Sequence, residues 1–237
     1  MNLSGKTVLI TGAAGNLGRA VARACMDAGA GLILTDRAPD RLSGLFSDIG
    51  RSADHLLLTG IDAASETDAA EVVAQGLTRF GRIDALVAAV GAWSGGAAVQ
   101  NTGMGEWHSM LEVNLFTALA MGRAAIPAML DAGSGSIVTI GSRSSLAGTA
   151  GAAAYSAAKA ALLRLTESMS ADLRGSGVRA NCVLPGTIDT PQNREDQPDA
   201  DHSRWVAPDA IADVVVFLCS NAARAVTGAA IPVYGRS

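Results

Sequence analysis

Strand-like and helix-like segments alternate along the whole 237-residue chain. Short apolar runs are typical of buried strands, and the longer stretches between them carry apolar residues at helical spacing. Strands that alternate with helices are expected to form a parallel sheet covered by helices on both faces. Seven strands are predicted near 7–11, 31–35, 55–61, 84–90, 136–141, 178–184 and 229–233, and helices near 17–28, 39–49, 64–80, 103–131, 152–175 and 207–220.

This alternation predicts an α/β protein with a single-domain Rossmann fold. A doubly wound, mostly parallel sheet of seven strands is expected to organise residues 1–237. A chain of this length buries roughly 70–75% of its unfolded surface in one core. Ligands of such sheets bind beyond the carboxyl ends of the strands, so the functional residues are expected there.

A glycine-rich turn follows the first predicted strand. Residues 7–18 read Thr-Val-Leu-Ile-Thr-Gly-Ala-Ala-Gly-Asn-Leu-Gly, and an alanine-rich helical stretch comes directly after them. Small residues let the backbone approach a pyrophosphate, and a helix N-terminus offers it unpaired N–H groups. The turn therefore predicts a dinucleotide site that includes Gly12, Gly15, Asn16, Leu17 and Gly18.

An acidic residue follows the second predicted strand. Asp36 lies eighteen residues after Gly18, where a carboxylate can accept hydrogen bonds from the adenosine ribose and repels a 2′-phosphate. This favours NAD over NADP as the cofactor. Arg37 keeps NADP open as the less favoured cofactor, because a guanidinium can bind the additional phosphate.

Tyr155 and Lys159 lie four residues apart in a predicted helix, and Ser142 precedes Tyr155 by thirteen residues. Side chains at i and i+4 share a helix face. A phenol ionises near pH ~10, so it needs a lowered pKa to transfer protons at neutral pH. An ammonium about 4–5 Å away stabilises the phenolate by about 3–4 kcal/mol at an effective dielectric of ~20. The pair therefore predicts an acid/base centre at Tyr155.

Together, the glycine turn, Asp36 and the Ser142, Tyr155 and Lys159 set resemble the short-chain dehydrogenase/reductase family, from about Lys6 onwards. The resemblance implies that Ser142 orients the substrate, that Tyr155 is the acid/base, and that Lys159 binds the nicotinamide ribose and lowers the pKa of the tyrosine. It also implies that Asn114, in an otherwise apolar helical stretch, holds a water of the proton relay. A dinucleotide-binding regulatory protein without catalysis is the alternative, but it predicts the loss of some of these four residues.

The same resemblance assigns further cofactor contacts. Asp62 is similar to the aspartate that contacts adenine, and Gly91 to the glycine after the fourth strand. The segment around the sixth strand end is similar to the one that holds the nicotinamide ring and carboxamide, which implies contacts from Pro185, Gly186, Ile188 and Thr190.

Two departures from the family pattern stand out. Residues 88–91 read Ala-Ala-Val-Gly where the family usually has Asn-Asn-Ala-Gly, so the amides that tie the sheet there are missing. The glycine spacing is GxxGxxG, which is more typical of extended sugar-nucleotide epimerases; a chain of 237 residues, however, leaves no room for their larger substrate domain.

Substrate selectivity is expected to reside in a loop at about 187–206 and in residues 93–96. The first is strongly polar, which favours a small, polar alcohol or carbonyl substrate. Both stretches are also similar to dihydropteridine reductases, and reduction of a quinonoid ring is the alternative reaction. Those reductases lack the serine that Ser142 supplies here. Candidate substrate contacts are Trp93, Ser142, Arg143, Tyr155, Asn193 and Trp205.

The remaining features exclude several classes of partner. The formal net charge of −4 favours neither nucleic acid nor an anionic membrane. His55, His108 and His202 lack metal-ligand spacing, so no metal is expected. Three widely spaced cysteines predict reduced thiols and a cytoplasmic location. The helices near 103–131 and 152–175 are apolar around much of their circumference, which predicts burial on more than the side that faces the sheet. The family resemblance implies that this burial is in a homotetramer, with a dimer as the second possibility.

Overall fold

The computed structural model describes residues 1–48 and 52–236 and contains a seven-stranded sheet in which every pairing is parallel. The strand order is β3-β2-β1-β4-β5-β6-β7. β1 therefore pairs with both β2 and β4, and the chain reverses its winding direction at β1. The strands are β1 (Thr7–Thr11), β2 (Gly31–Asp36), β3 (His55–Thr59), β4 (Ala85–Ala88), β5 (Gly135–Ile140), β6 (Val178–Pro185) and β7 (Ala230–Val233).

Helices cover both faces of this sheet. They are α1 (Asn16–Asp27), α2 (Pro39–Leu45), α3 (Glu66–Phe80), α4 (Met104–Leu111), α5 (Thr117–Asp131), α6 (Ala153–Asp172), α7 (Pro191–Asp196) and α8 (Pro208–Cys219). Because successive strand residues point to opposite faces, Val8 and Ile10 join the core beneath α1 and α8, whereas Leu9 joins the core beneath α3 and α5. This is the predicted doubly wound Rossmann fold.

The order and type of the predicted elements are confirmed, and the differences lie at their ends. The predicted strand at 84–90 ends at Ala88, and the one at 55–61 ends at Thr59. The predicted helix at 39–49 ends at Leu45, and its last predicted residue, Ile49, lies outside the described residues. A short helix, α7, was not predicted inside the polar 187–206 loop.

The helix predicted over 103–131 is interrupted by a π-helical turn at Glu112–Phe116. Such wide turns insert one extra residue between hydrogen-bonded partners, and they occur frequently at functional sites. The apolar pattern does not reveal the turn, because the residues on both sides keep their burial. The turn places Asn114, which is almost completely buried, toward the carboxyl end of β4.

One helical stretch, Met104–Asp131, is long and apolar enough to cross a membrane by length and composition. The core helices of globular proteins meet the same criteria, and 44% of its most apolar window is buried within this fold. We therefore interpret it as a core helix; the absence of a membrane partner stays a prediction.

Candidate active site

The turn between β1 and α1 has the close approaches that require glycine. Gly12 has a φ of +66°. A Cβ at Gly18 would lie 2.1 Å from the carbonyl oxygen of Gly12, so any side chain there would displace the turn. Gly15 begins α1 without a side-chain cap, and the first helical turn carries no acidic residue. The first N–H groups of α1 are therefore suited to bind an anion, as a cofactor pyrophosphate requires.

A cavity of about 490 Å³ adjoins this turn. Its walls include Asn16 in the first turn of α1 and Thr190 at the start of the 187–206 loop. Asn16 and Thr190, predicted cofactor contacts from the two halves of the chain, therefore line one cavity.

Asp36 lies at the end of β2 beside the glycine turn. Its Oδ2 accepts a hydrogen bond from the Ala14 N–H (3.0 Å) and its Oδ1 accepts one from the Ala38 N–H (3.0 Å). The carboxylate is thus held in place and keeps lone pairs for further donors. Arg37 is exposed next to it, and Arg41 donates to the Ala14 carbonyl oxygen (3.0 Å). Arg41 was not identified from the sequence as a neighbour of the cofactor site, because only the folded chain brings α2 over the glycine turn.

Asp62 follows β3, close to Asp36. The Ile61 N–H donates to the Asp36 carbonyl oxygen (3.2 Å), which brings the two loops together. The Asp62 carboxylate accepts from the Ala64 N–H (3.1 Å), and its own N–H donates to Asp68 (2.8 Å). This geometry places an oriented carboxylate where the resemblance implies contact with adenine.

Tyr155 and Lys159 lie in α6, beside the carboxyl end of β5. Lys159 is buried, and its Nζ donates to the carbonyl oxygen of Ile140 (2.8 Å) and lies 5.9 Å from the centre of the Tyr155 ring. Burial lowers the pKa of Lys159 to about 8. The ammonium is therefore easily deprotonated for a lysine, yet remains mostly charged at neutral pH.

The pKa of Tyr155 differs from the expectation. Burial raises it, and only the interaction with the Ser142 hydroxyl lowers it. The expected lowering by Lys159 is not found in the protein chain alone. The physical reason is that Lys159 donates to Ile140 rather than to the phenol, while most of the ring is removed from water.

Ser142 caps a short 3₁₀ turn, Arg143–Ser145, in a way that fixes its hydroxyl. Its Oγ accepts from the Ser144 N–H (3.1 Å), and Ser145 Oγ accepts from the Ser142 N–H (3.1 Å). Because the backbone donor occupies one lone pair, the hydroxyl proton of Ser142 remains available to donate elsewhere. The turn packs against α6. Tyr155 lies in the first turns of that helix, and its phenol interacts with the Ser142 hydroxyl.

Asn114 joins the π-helical turn to the loop after β4. Its Nδ2 donates to the carbonyl oxygens of Ala92 (2.9 Å) and Met110 (3.1 Å), and its Oδ1 accepts from the Ala92 N–H (3.2 Å). A Cβ at Gly91 would lie 3.1 Å from both Asn114 Oδ1 and Lys159 Nζ. Gly91 therefore allows the amide, the ammonium and the backbone to converge.

The missing Asn-Asn pair at residues 88 and 89 has a structural consequence. Thr11 pairs in register with Ala88 on one side and with Thr35 on the other. The hydroxyls of Thr11 and Thr35 are buried and find no hydrogen-bond partner within residues 1–48 and 52–236. Asn114 holds the loop after β4 through the backbone of Ala92. It therefore replaces only part of the hydrogen bonding that the missing amides would provide.

The second half of the predicted cofactor site begins at the end of β6. Pro185 is buried, and the Gly186 N–H donates to the Val233 carbonyl oxygen (3.0 Å). Val206 closes the base of the 187–206 loop. Its carbonyl oxygen accepts from the Asp189 N–H (2.8 Å), and it forms a parallel β-bridge with Ile188. This closure places Ile188 and Thr190 together at the mouth of the site.

Asn193, a predicted substrate contact, is held by hydrogen bonds at the start of α7. Its Nδ2 donates to the Ile188 carbonyl oxygen (2.7 Å), and its N–H donates to Thr190 Oγ1 (3.1 Å). Its amide therefore stabilises the start of α7. Sequence reasoning could not foresee this, because α7 itself was not predicted.

The other candidate substrate contacts lie around the mouth of the site. Trp93 is 65% exposed in the loop after β4. The Arg143 guanidinium lies 4.5 Å from the centre of the Tyr234 ring, and the Trp205 ring lies 4.3 Å from that of His202. In the described part of the chain, no group of three or more His, Cys, Asp or Glu side chains is placed to hold a metal ion.

Comparison with known proteins decides the family. The profile of the short chain dehydrogenase family matches residues 6–201. The chain belongs to this family. The short-chain dehydrogenases are oxidoreductases that use a nicotinamide cofactor, so the protein is an NAD(P)-dependent enzyme.

Several members of this short-chain dehydrogenase family are similar over nearly their whole length. Cis-4-hydroxycyclohexanecarboxylate dehydrogenase of Sinomonas cyclohexanicum is 32% identical over 97% of this chain and 95% of its own. L-rhamnose 1-dehydrogenase (NAD(P)(+)) of Azotobacter vinelandii is 33% identical over 99% and 97%. A crystal structure from Brucella melitensis, described as a glucose/ribitol dehydrogenase, has a TM-score of 0.87 at 33% identity and covers 100% of this chain and 98% of its own.

Proposed function

We propose that the protein transfers a hydride between NAD and a small, polar alcohol or carbonyl substrate, with Tyr155 as the acid/base. The observation that carries this proposal is the convergence of Ser142, Tyr155 and Lys159 between β5 and α6. Asn114 and Gly91 complete the group from the neighbouring strand.

Each side chain has a role that its contacts support. The bound cofactor supplies or accepts the hydride. Ser142 donates its hydroxyl proton to the substrate oxygen, because its Oγ accepts from the Ser144 N–H and the hydroxyl still has a proton to donate. Tyr155 gives a proton to that oxygen in the reducing direction and takes it in the oxidising direction. Lys159 would hold the nicotinamide ribose and provide a positive charge close to the phenol.

NAD is proposed over NADP because of Asp36. The carboxylate is fixed by two backbone N–H groups and faces the glycine turn, where it favours ribose hydroxyls and repels a 2′-phosphate. Arg37 and Arg41 flank it and would accommodate the phosphate if the carboxylate were removed. NADP is thus proposed as the weaker cofactor.

A small, polar substrate is proposed from the loop at 187–206. Many of its side chains are exposed and polar, and some of its acidic residues are paired, as in Asp189 with Arg194 (2.5 Å). The names of two relatives denote a hydroxy acid and a sugar, which are substrates of this size and polarity. Ser142 favours a carbonyl or alcohol over the quinonoid ring of a dihydropteridine.

A cytoplasmic homotetramer is proposed as the working form, with a dimer as the second possibility. The support is the apolar surface that α5, α6 and their neighbours leave uncovered, including Phe116, which is 41% exposed, and Leu130, which is 45% exposed. The family resemblance implies pairing of these helices between subunits.

Turnover assays test the proposal directly. The purified protein is assayed with NAD and NADP against small polyols, sugars, hydroxy acids and dihydropteridines, and Tyr155→Phe is assayed beside it. We expect turnover of an alcohol, and a loss of at least ~100-fold in kcat for Tyr155→Phe with NADH binding retained. Turnover restricted to dihydropteridines, or near-normal turnover in Tyr155→Phe, would contradict the proposed reaction.

A further inference from the structure

The end of β7 and the residues that follow it contact three segments that border the substrate site. Val233 accepts a hydrogen bond from Gly186, which follows the end of β6. Tyr234 lies against Arg143, the neighbour of Ser142. Arg236 pairs with Arg204 in the second half of the 187–206 loop. We call residues 234–236 the post-strand segment.

Tyr234 connects the Ser142 turn to the core. Its side chain packs against the buried cluster of Leu163, Cys182 and Leu184, which joins α6 to β6. The Arg143 guanidinium lies 4.5 Å from its ring centre. This distance is within the range of a cation–π interaction. Because Arg143 directly follows Ser142, this contact restrains the turn that orients the Ser142 hydroxyl.

Gly235 and Arg236 hold the other border of the site. The Arg236 N–H donates to the Arg204 carbonyl oxygen (3.1 Å). Gly235 has a φ of +67°, and a Cβ there would lie 3.1 Å from the carbonyl oxygens of both Arg204 and Trp205. Only glycine allows this close approach without strain. The loop end that carries Trp205 is therefore held by the post-strand segment.

We propose that the post-strand segment is a positioning clamp that sets the distance between the Ser142 turn and the 187–206 loop, and thereby selects the substrates that fit between them. Tyr234 acts on Ser142 through Arg143, and Gly235 with Arg236 acts on the loop through Arg204. The inference rests on the proposed function for its consequence in catalysis. The contacts themselves do not depend on that function.

Gly235→Ala tests the loop side of the clamp, with Gly228→Ala as its matched control. Gly228 also has a positive φ, +70°, and a Cβ there would lie 3.1 Å from the Ser170 hydroxyl. Both variants therefore carry a similar backbone strain, but only Gly235 touches the loop. We expect Gly235→Ala to lower kcat/KM at least about tenfold through a higher KM, with little change in NADH affinity, and Gly228→Ala to keep the parent values.

Hydrogen exchange separates the clamp from the proposed function, because it needs no turnover. We expect the amides of residues 197–206 to exchange at least about tenfold faster in Gly235→Ala than in Gly228→Ala. Equal exchange in the two variants would overturn the clamp. If the parent protein turns over no alcohol or carbonyl while exchange still differs, the proposed function fails and the clamp stands.

Tyr234→Leu and Tyr234→Phe test the Ser142 side. Phe keeps the ring that Arg143 covers, so we expect parent kcat in Tyr234→Phe and a fall of about tenfold in Tyr234→Leu. In a Ser142→Ala background, the Tyr234→Leu change should have almost no further effect, because residues that act through one group are not additive. Additive losses, or equal losses in the Phe and Leu variants, would refute the action of Tyr234 on Ser142.

Discussion

Lys159 carries its positive charge at a buried position, where a charge is unfavourable. The side chain is buried, and within the described chain its hydrogen bond runs to the Ile140 carbonyl oxygen (2.8 Å) rather than to a carboxylate. Removal of an ammonium from water costs free energy, which is why its pKa falls to about 8. The proposed role of Lys159 in cofactor binding and catalysis therefore comes at the expense of stability.

We expect this cost to depend on pH. The pKa of Lys159 is about 8 in the folded protein against an ordinary value of 10.5, so the unfolded chain binds more protons between these values. The free energy of unfolding should therefore rise with pH over that window, by up to about 3 kcal/mol from this group. Urea unfolding of the parent and of Lys159→Met at pH 7 and pH 10 isolates the effect, since all other groups are shared.

In this comparison Lys159→Met should be the more stable protein at pH 7, and its advantage should shrink by pH 10. A stability difference that is the same at both pH values would show that the buried ammonium is not destabilised.

A second prediction at the residue scale concerns Asp36 and the relative affinities for NADH and NADPH. Fluorescence titration should show tighter binding of NADH than of NADPH. Asp36→Ser should narrow or reverse the difference, because the 2′-phosphate then meets Arg37 and Arg41 without a carboxylate between them. Asp36→Asn, which keeps an oxygen for one of the two backbone N–H groups, controls for damage to the turn. Equal affinities for the two cofactors in the parent would refute the assignment.

Residue types and their spacing predicted the centre of the site better than its border. Ser142, Tyr155 and Lys159 converge because their positions follow from one strand end and one helix face. The Asn193 amide donates to the Ile188 carbonyl oxygen ahead of α7, a contact that the spacing did not reveal. Arg41 and Tyr234 could not be found from the sequence, because both approach the site only through contacts between elements distant along the chain.

Among the elements, the strands were predictable and the irregular turns were not. Each predicted strand is present, since a buried parallel strand reads as an apolar run. The π-helical turn at Glu112–Phe116 and α7 escaped prediction for opposite reasons. The first keeps the burial pattern of a regular helix, and the second is a short polar segment without a buried face. Both position functional residues, which explains why the site was less predictable than the fold.

The carboxyl ends of β1, β4 and β5 offer a test of how the missing Asn-Asn pair at residues 88 and 89 affects stability. Thr11 and Thr139 lie in the same cross-strand row, separated by Ala88. Thr139 Oγ1 hydrogen-bonds Thr166 Oγ1 (2.7 Å), whereas Thr11 Oγ1 finds no partner within the described chain. Thr11→Val should therefore leave the free energy of unfolding unchanged or raise it by up to about 1 kcal/mol, and Thr139→Val should lower it by about 1 kcal/mol.

Chemical denaturation of the two valine variants measures this difference. Both changes preserve side-chain shape, so they differ mainly in the hydrogen bond that is lost. If Thr11→Val destabilises the protein as much as Thr139→Val does, the Thr11 hydroxyl has a partner, such as an ordered water, in solution.

At the scale of the whole molecule, the site lies where the winding of the sheet reverses. The ends of β1, β2 and β4 hold the cofactor residues, and the ends of β5 and β6 hold Ser142 and Pro185. This division explains why the reaction class could be predicted and the substrate could not. The reacting groups are fixed by one strand end and one helix face, whereas the substrate borders are loops whose shape depends on contacts such as those of residues 234–236.

Association is the prediction that concerns the entire surface. Phe116 is 41% exposed between α4 and α5, and exposed apolar side chains on a helix pair favour a symmetric interface with a second copy. Light scattering should give a mass near four times the 23.9 kDa of one chain, or twice that mass if only the dimer forms. Phe116→Glu should shift the protein toward smaller species, because a buried unpaired carboxylate disfavours the interface. A monomer mass for the parent at micromolar concentration would refute the assembly.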